Sequence, residues 1–331
     1  MKAGYSAIFC FAGLLTLASA KAADPSPTPT PTKGQLIQIP AAPDKGFHFP
    51  YLLFVPDSAE EKKYDYLLVE PNNTGKPSDD PEIHRSAATA LARDSSVGNF
   101  VAKRLRIPLL VPIFPRPSST DDVYTHSLDR DTIVISSGPL KRLDLQLLAM
   151  IADARPRLEA MKRPVRSKVL MNGFSASGLF ANRFALLHPE AVVAAAYGGI
   201  NGFITLPVGE LKSRPLNFPV GIGDLQNLTG DPFDRPVYLA IPQFAYMGAD
   251  ETNDAVVKDD AYSDEERTLI FELLGRTMMP DRWEAVQAVY QTEKVSIQFK
   301  TYSGIGHGTD GRINKEVAEF FRGVIEKART P

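Results

Sequence analysis

The sequence predicts an α/β fold, and three observations carry the prediction. Short apolar runs alternate with stretches of helical period along most of the 331 residues. Residues 142–161 form a strong amphipathic helix pattern, with Leu143, Leu147, Ile151 and Leu158 near one stripe and charge on its flanks. The composition, 44% hydrophobic and 23% charged, is that of a globular chain long enough to bury a substantial core.

The N-terminus reads as a separate unit. Lys2 supplies positive charge, residues 7–17 are apolar, and Ala18-Ser-Ala-Lys-Ala22 offers small residues at the spacing a signal peptidase reads. Residues 1–22 are therefore expected to be a cleaved signal peptide, which makes the protein secreted or periplasmic. The apolar run is too short to serve as a membrane anchor. The single cysteine, Cys10, lies inside it, so cleavage leaves a chain without disulfides, thiol chemistry or cysteine metal sites. Residues 23–34 are rich in Pro and Thr and read as an extended spacer. A single catalytic domain is expected over 35–331.

Within that domain, residues 51–55 (YLLFV) and 66–69 (YLLV) read as strands, and helical spacing follows around 87–91 and 100–105. Residues 109–114 form the next strand, and the helix at 142–161 comes after it. Strand 168–171, helix 177–187 and an apolar strand at 192–197 follow. Residues 203–235 hold several Pro and Gly without a clean period and read as an insertion, bounded at about 202–235. The run from Val237 to Tyr246 reads as one strand. Helices are expected at 265–274 and 282–290, a strand at 295–302 and a last helix at 315–327.

Charge narrows the function. Lys and Arg number 37 and Asp and Glu 39, a formal net charge of −2, and this near balance argues against nucleic-acid binding. The acidic runs at 259–260 and 264–266 lack the spacing of a calcium loop. No metal and no cofactor is expected.

The sharpest local signal is Met171-Asn-Gly-Phe-Ser-Ala-Ser-Gly178, a strand that runs straight into a tight turn and a helix. Nucleophilic catalysis by serine needs a hydroxyl on such a turn, and Gly173, two before Ser175, lets it close. The helix N-terminus adds free N–H groups and a dipole that favours developing negative charge. These residues resemble the nucleophile elbow of the α/β-hydrolase superfamily, Gly-x-Ser-x-Gly, with Ser177 in place of the second glycine and Gly178 directly after it. The resemblance implies a mostly parallel central sheet with helices on both faces, and Ser175 as nucleophile. It also implies the order serine, acid, histidine, with the histidine in the loop after the last strand. His307 stands there, flanked by Gly304, Gly306 and Gly308, and is the expected general base.

The acid is expected in Met247-Gly-Ala-Asp-Glu-Thr-Asn-Asp254. Asp250 and Asp254 are the first choices, and Glu251 stands behind them because glutamate is the rarer acid. The oxyanion hole is expected to use the N–H of Ala176 and a second N–H from the 70–75 loop, from Asn73 or Thr74. Segments 116–137 and 203–235 are expected to build the pocket, with Arg116, Tyr124 and His126 as lining residues. Within the superfamily the chain resembles secreted esterases of the polyester-depolymerase and feruloyl-esterase kind. That likeness implies hydrolysis of a small-molecule or polymeric carboxylic ester; the short apolar run at the N-terminus predicts no stable membrane insertion after signal cleavage. The alternatives are acyl transfer or amide cleavage by the same triad, and a non-catalytic exported binding protein on a hydrolase scaffold.

Overall fold

A computed structural model of the chain describes residues 33–57, 66–94, 96–120, 123–257 and 261–328. The expected signal peptide with Cys10, the spacer up to residue 32 and the acidic pair 259–260 lie outside the described residues.

Eight strands form one sheet: β1 (Gly34–Ile39), β2 (Tyr51–Pro56), β3 (Leu68–Val69), β4 (Leu109–Pro112), β5 (Val169–Phe174), β6 (Val192–Gly198), β7 (Gln243–Gly248) and β8 (Ile297–Tyr302). Their spatial order is β1-β2-β4-β3-β5-β6-β7-β8. β2 is antiparallel to both of its neighbours, and every other pairing is parallel. The helices are α1 (Pro81–Arg93), α2 (Val97–Leu105), α3 (Arg130–Val134), α4 (Leu143–Ala160), α5 (Ala176–Leu187), α6 (Leu225–Thr229), α7 (Arg235–Ala240), α8 (Asp264–Leu274), α9 (Trp283–Thr292) and α10 (Gly311–Lys327).

The two-residue period of the strands divides the core into two layers. Leu53, Met171, Tyr197 and Met247 face α4, α5, α8 and α9, where they meet Leu147, Phe180, Ile270 and Val286. Their neighbours Leu52, Phe54, Leu170, Ala196 and Tyr246 face α1, α2 and α10, with Ala88, Val101 and Phe321. Helices on both faces explain why the central strands are nearly continuous in apolar residues. The segment between β6 and β7 holds a two-residue ribbon (Glu210–Leu211 with Arg214–Pro215), α6 and α7. Phe203, Ile204, Leu206, Leu216, Phe218 and Val220 of this segment are buried in the α5-side core.

β1 and the start of β7 differ from the sequence-based expectation, which also does not include the short helices α3 and α6. β1 is absent from the sequence-based expectation: Gln35 and Gln38 break its apolar residues at the sheet edge, and it follows directly on the Pro/Thr stretch. The strand expected from Val237 begins only at Gln243. Asp234 caps a short helix instead, accepting from Val237 N at 3.2 Å, and Pro236 sits in its first turn.

Candidate active site

The parallel strands end on one edge of the sheet, and the loops that leave that edge carry the polar groups considered below. β5 stops at Phe174. Ser175 then takes a left-handed turn, with φ +62° and ψ −132°, and α5 starts at Ala176. A side chain in this region stores about 1–3 kcal/mol of strain, so the surroundings must hold it. Ser175 N–H donates to Gly198 O at 2.9 Å, and Ser175 O accepts from Gly178 N at 2.9 Å. Ser177 Oγ accepts from Phe174 N at 3.0 Å and donates to Phe174 O at 2.9 Å. The serine in the place of the second glycine thus braces the turn. Gly173 is required by close approach: a Cβ there would lie 2.0 Å from Ser177 O and 2.7 Å from Gly178 N. Ser175 is 6% exposed. As the first residue of α5, Ala176 has an N–H with no acceptor inside the helix.

His307 lies in the loop after β8, and its ring packs on that of Phe174, with centroids 5.1 Å apart. The histidine therefore stands against the residue that precedes Ser175. Its Nδ1 meets Glu251 Oε2 at 2.7 Å. The Glu251 side chain is fully buried, and its Oε1 accepts from Thr252 N at 2.9 Å and Asn253 N at 2.8 Å. With Nδ1–H donated to a carboxylate, Nε2 is the acceptor nitrogen, and Asn253 Nδ2 reaches it at 3.3 Å.

This geometry corrects the expected acid. Asp250 is exposed beyond the end of β7, with its N–H donated to Ile305 O at 2.9 Å. Asp254 is ion-paired with the buried Arg282, and its Oδ1 accepts from Val256 N at 3.0 Å. Neither carboxylate is the one on His307. Gly248 explains the register: its Cα hydrogen faces Ile305 O, which a Cβ would approach to 2.1 Å, so the β7 and β8 loops pack closely enough for Glu251 to reach His307.

The loop after β3 is held from below and from the side. Glu70 is buried, accepting from Ser96 Oγ at 2.6 Å and Asn172 Nδ2 at 3.0 Å. Burial pushes its carboxyl up to about 7, against those hydrogen bonds. Asn72 Nδ2 donates to Phe114 O at 2.8 Å, and its Oδ1 accepts from Phe114 N at 3.0 Å. Asn73 Oδ1 accepts from Gly75 N at 3.0 Å. Thr74 is gripped by two buried histidines: its N–H donates to His126 Nδ1 at 3.3 Å, and its Oγ1 meets His84 Nδ1 at 2.7 Å. The sequence singles out His126 as a pocket residue and gives His84 no role; that both close on Thr74 is a property of the fold, His126 meeting it across 52 positions.

Of the expected pocket residues, Arg116 and Tyr124 come together, the guanidinium carbon 3.5 Å from the ring centroid. Burial lowers the Arg116 pKa and raises that of Tyr124. His126 instead turns into the 72–74 loop. Among the described residues no group of three or more His, Cys, Asp or Glu is arranged to hold a metal ion.

No model of a protein family matches the chain, and no curated protein matches it in sequence. Among solved structures it is similar to poly(aspartic acid) hydrolase-1 from Sphingomonas sp. KT-1, at 17% identity and a TM-score of 0.55, over 89% of this chain and 98% of that one. It also matches MGS-M1, an α/β hydrolase from a Medee basin deep-sea metagenome library, at 12% identity and a TM-score of 0.47, over 88% of this chain and 97% of that one. A ferulic acid esterase matches at 15% identity and a TM-score of 0.46, over 90% and 96%. The strand order, the two antiparallel pairings at one edge and the match along nearly the whole of a solved hydrolase lead to one conclusion: this chain has the α/β-hydrolase fold.

Proposed function

We propose that the protein is a serine hydrolase that cleaves carboxylic esters through an acyl-enzyme on Ser175. One observation carries the reading: a His–carboxylate couple, His307 with Glu251, lies against the residue that precedes a left-handed serine at the mouth of a helix. In this reading Ser175 Oγ attacks the ester carbonyl carbon while its proton passes to His307 Nε2. Glu251 holds the Nδ1–H tautomer and stabilises the imidazolium without taking the proton. The N–H groups of Ala176 and Asn73 hold the oxyanion. The tetrahedral adduct collapses, the C–O bond to the alcohol breaks, and His307 returns the proton to the leaving oxygen. Water then attacks the acyl-enzyme with the same proton relay, and the carboxylic acid and Ser175 are released. Asn253 must yield Nε2 for the first proton transfer. The Arg116–Tyr124 pair lines the pocket, and residues 1–22 direct export to the periplasm or medium.

Labelling of the folded protein with a fluorophosphonate, followed by peptide mapping, tests the reading. Modification at Ser175, lost in His307→Ala and accompanied by hydrolysis of p-nitrophenyl esters, is the expected result. A folded protein that takes no label overturns it. N-terminal sequencing of exported protein tests cleavage near Ala22.

A further inference from the structure

Two buried histidines outside the proposed triad surround the loop that would complete the oxyanion site. His126 is 1% exposed and sits in the 3-10 turn Thr125–Ser127. Its Nε2 lies 2.8 Å from Phe114 O, a carbonyl that can only accept, so Nε2 carries the proton and Nδ1 is left as an acceptor. That acceptor receives Thr74 N–H at 3.3 Å. On the other side of the loop, Asn72 is locked to both backbone groups of Phe114. His126 and Asn72 therefore share one anchor, the Phe114 carbonyl, and hold the residues on either side of Asn73. The Asn73 N–H donates to no group among the described hydrogen bonds. The positively charged and titratable neighbours of His126 are Arg116, beyond β4, and His84, on α1, whose ring centroid is 5.6 Å away. Burial, with those two neighbours adding to it, keeps the His126 imidazole neutral, its pKa down to about 3.

We propose that His126 is a positioning residue: as a neutral Nε2–H imidazole it accepts from Thr74 N–H, donates to Phe114 O, and so aims the Asn73 N–H at the oxyanion. The proposal rests on the reading of Ser175 as nucleophile. A protonated ring would present a second donor to Thr74 N–H, and an empty place would leave that N–H buried without an acceptor. Either change lets the loop relax, and a displacement of about 1 Å at an oxyanion donor costs on the order of 100-fold in rate.

Two amide substitutions separate the two ends of the ring. In His126→Asn the amide oxygen takes the place of Nδ1 and keeps the acceptor for Thr74. In His126→Gln the terminal amide nitrogen takes the place of Nε2, keeps the donor for Phe114 and leaves Thr74 without a partner. The measurements are kcat and KM for p-nitrophenyl butyrate, and the inhibition constant of a trifluoromethyl ketone, whose serine adduct is tetrahedral. H126N is expected to keep kcat within about five-fold, and H126Q to lose about 100-fold in kcat with KM nearly unchanged. Affinity for the ketone should fall in H126Q in step with kcat/KM. Equal losses in both variants, or full kcat in H126Q, overturn the assignment. Should H126Q fail to fold, Thr74→Pro removes the same hydrogen bond from its other end and is expected to show the same loss in kcat; full kcat there also overturns it. Ser175→Ala separates the two layers of the argument. If S175A keeps activity, the nucleophile reading fails; if S175A is inactive and H126Q is not impaired, only the role of His126 fails.

Discussion

Replacing Glu251 by Gln is the sharpest test of the proposed chemistry, because the structure leaves the amide no good arrangement. One carboxylate oxygen accepts from two backbone N–H groups, at 2.9 and 2.8 Å, and the other accepts from His307 Nδ1 at 2.7 Å. All three partners are donors, and the side chain is fully buried. If the Gln oxygen stays on the backbone, its NH2 faces Nδ1 and drives the proton to Nε2, the wrong tautomer for a base. If the amide flips, its NH2 meets two backbone donors and the loop shifts. Loss of the correct tautomer in a serine triad costs ~10⁴ in kcat, about 5.5 kcal/mol of transition-state stabilisation. Hydrolysis of p-nitrophenyl butyrate at pH 7.5 gives kcat, and a thermal melt confirms that the variant is folded. Asp250→Asn, on an exposed carboxylate, should stay within about three-fold of the parent in the same assay. A folded E251Q that retained a tenth of the parent kcat, or a D250N that lost activity, would refute the assignment of the acid.

Other outcomes follow from the same contacts. Gly173→Ala forces a methyl against Ser177 O and Gly178 N, both backbone atoms. It should cost about 3 kcal/mol in denaturant unfolding and slow fluorophosphonate labelling about 100-fold; parent-like values in both would show that the turn tolerates a side chain. Asp254→Asn strips the fully buried Arg282 of its carboxylate. It should lose about 3–5 kcal/mol of stability while kcat per titrated active site stays near the parent value, the reverse of E251Q. Glu70 is raised from 4.5 to about 7, so between those pH values the folded chain holds a proton that the unfolded chain has lost. Stability should therefore fall as pH rises through this window, by up to about 3 kcal/mol, and level off above it. Glu70→Gln should flatten that slope in denaturant titrations from pH 4.5 to 8, and an unchanged slope would remove Glu70 from the account.

The fold was largely legible because its signals are local. The apolar runs at β2, β4, β5 and β6 and the helical period of α4 each declare themselves within a dozen residues. The serine turn was legible for the same reason: Gly173, Ser175 and Gly178 act on one another across five positions. The acid was not, since three carboxylates crowd into five residues and what separates them is remote. Asp254 is taken by Arg282, 28 positions on, and Glu251 meets His307 at a distance of 56. Preference for aspartate over glutamate was a statistical argument, and the packing of Gly248 on Ile305 decided the matter instead. His126, expected to line the pocket, turns into the 72–74 loop instead, and His84 shows no pattern of its own, because what each one does depends on Thr74 and Phe114 in other loops. The strand expected at Val237 failed on competing local chemistry, where the Asp234 cap and Pro236 start a helix that an apolar run alone does not reveal.

The spacing of these contacts has a consequence for the order in which the molecule comes together. Asn72 meets Phe114 across 42 positions, Thr74 meets His126 across 52, and Glu251 meets His307 across 56. None of these pairs can form inside a single helix or hairpin, and each waits on parallel strands joined through crossovers, the slowest contacts to close. In a refolding experiment the helical circular dichroism signal should return first, and hydrolysis should lag until β8 has docked on β7. Enzyme activity then serves as a clock for the last step of folding, where a spectroscopic signal marks only the first.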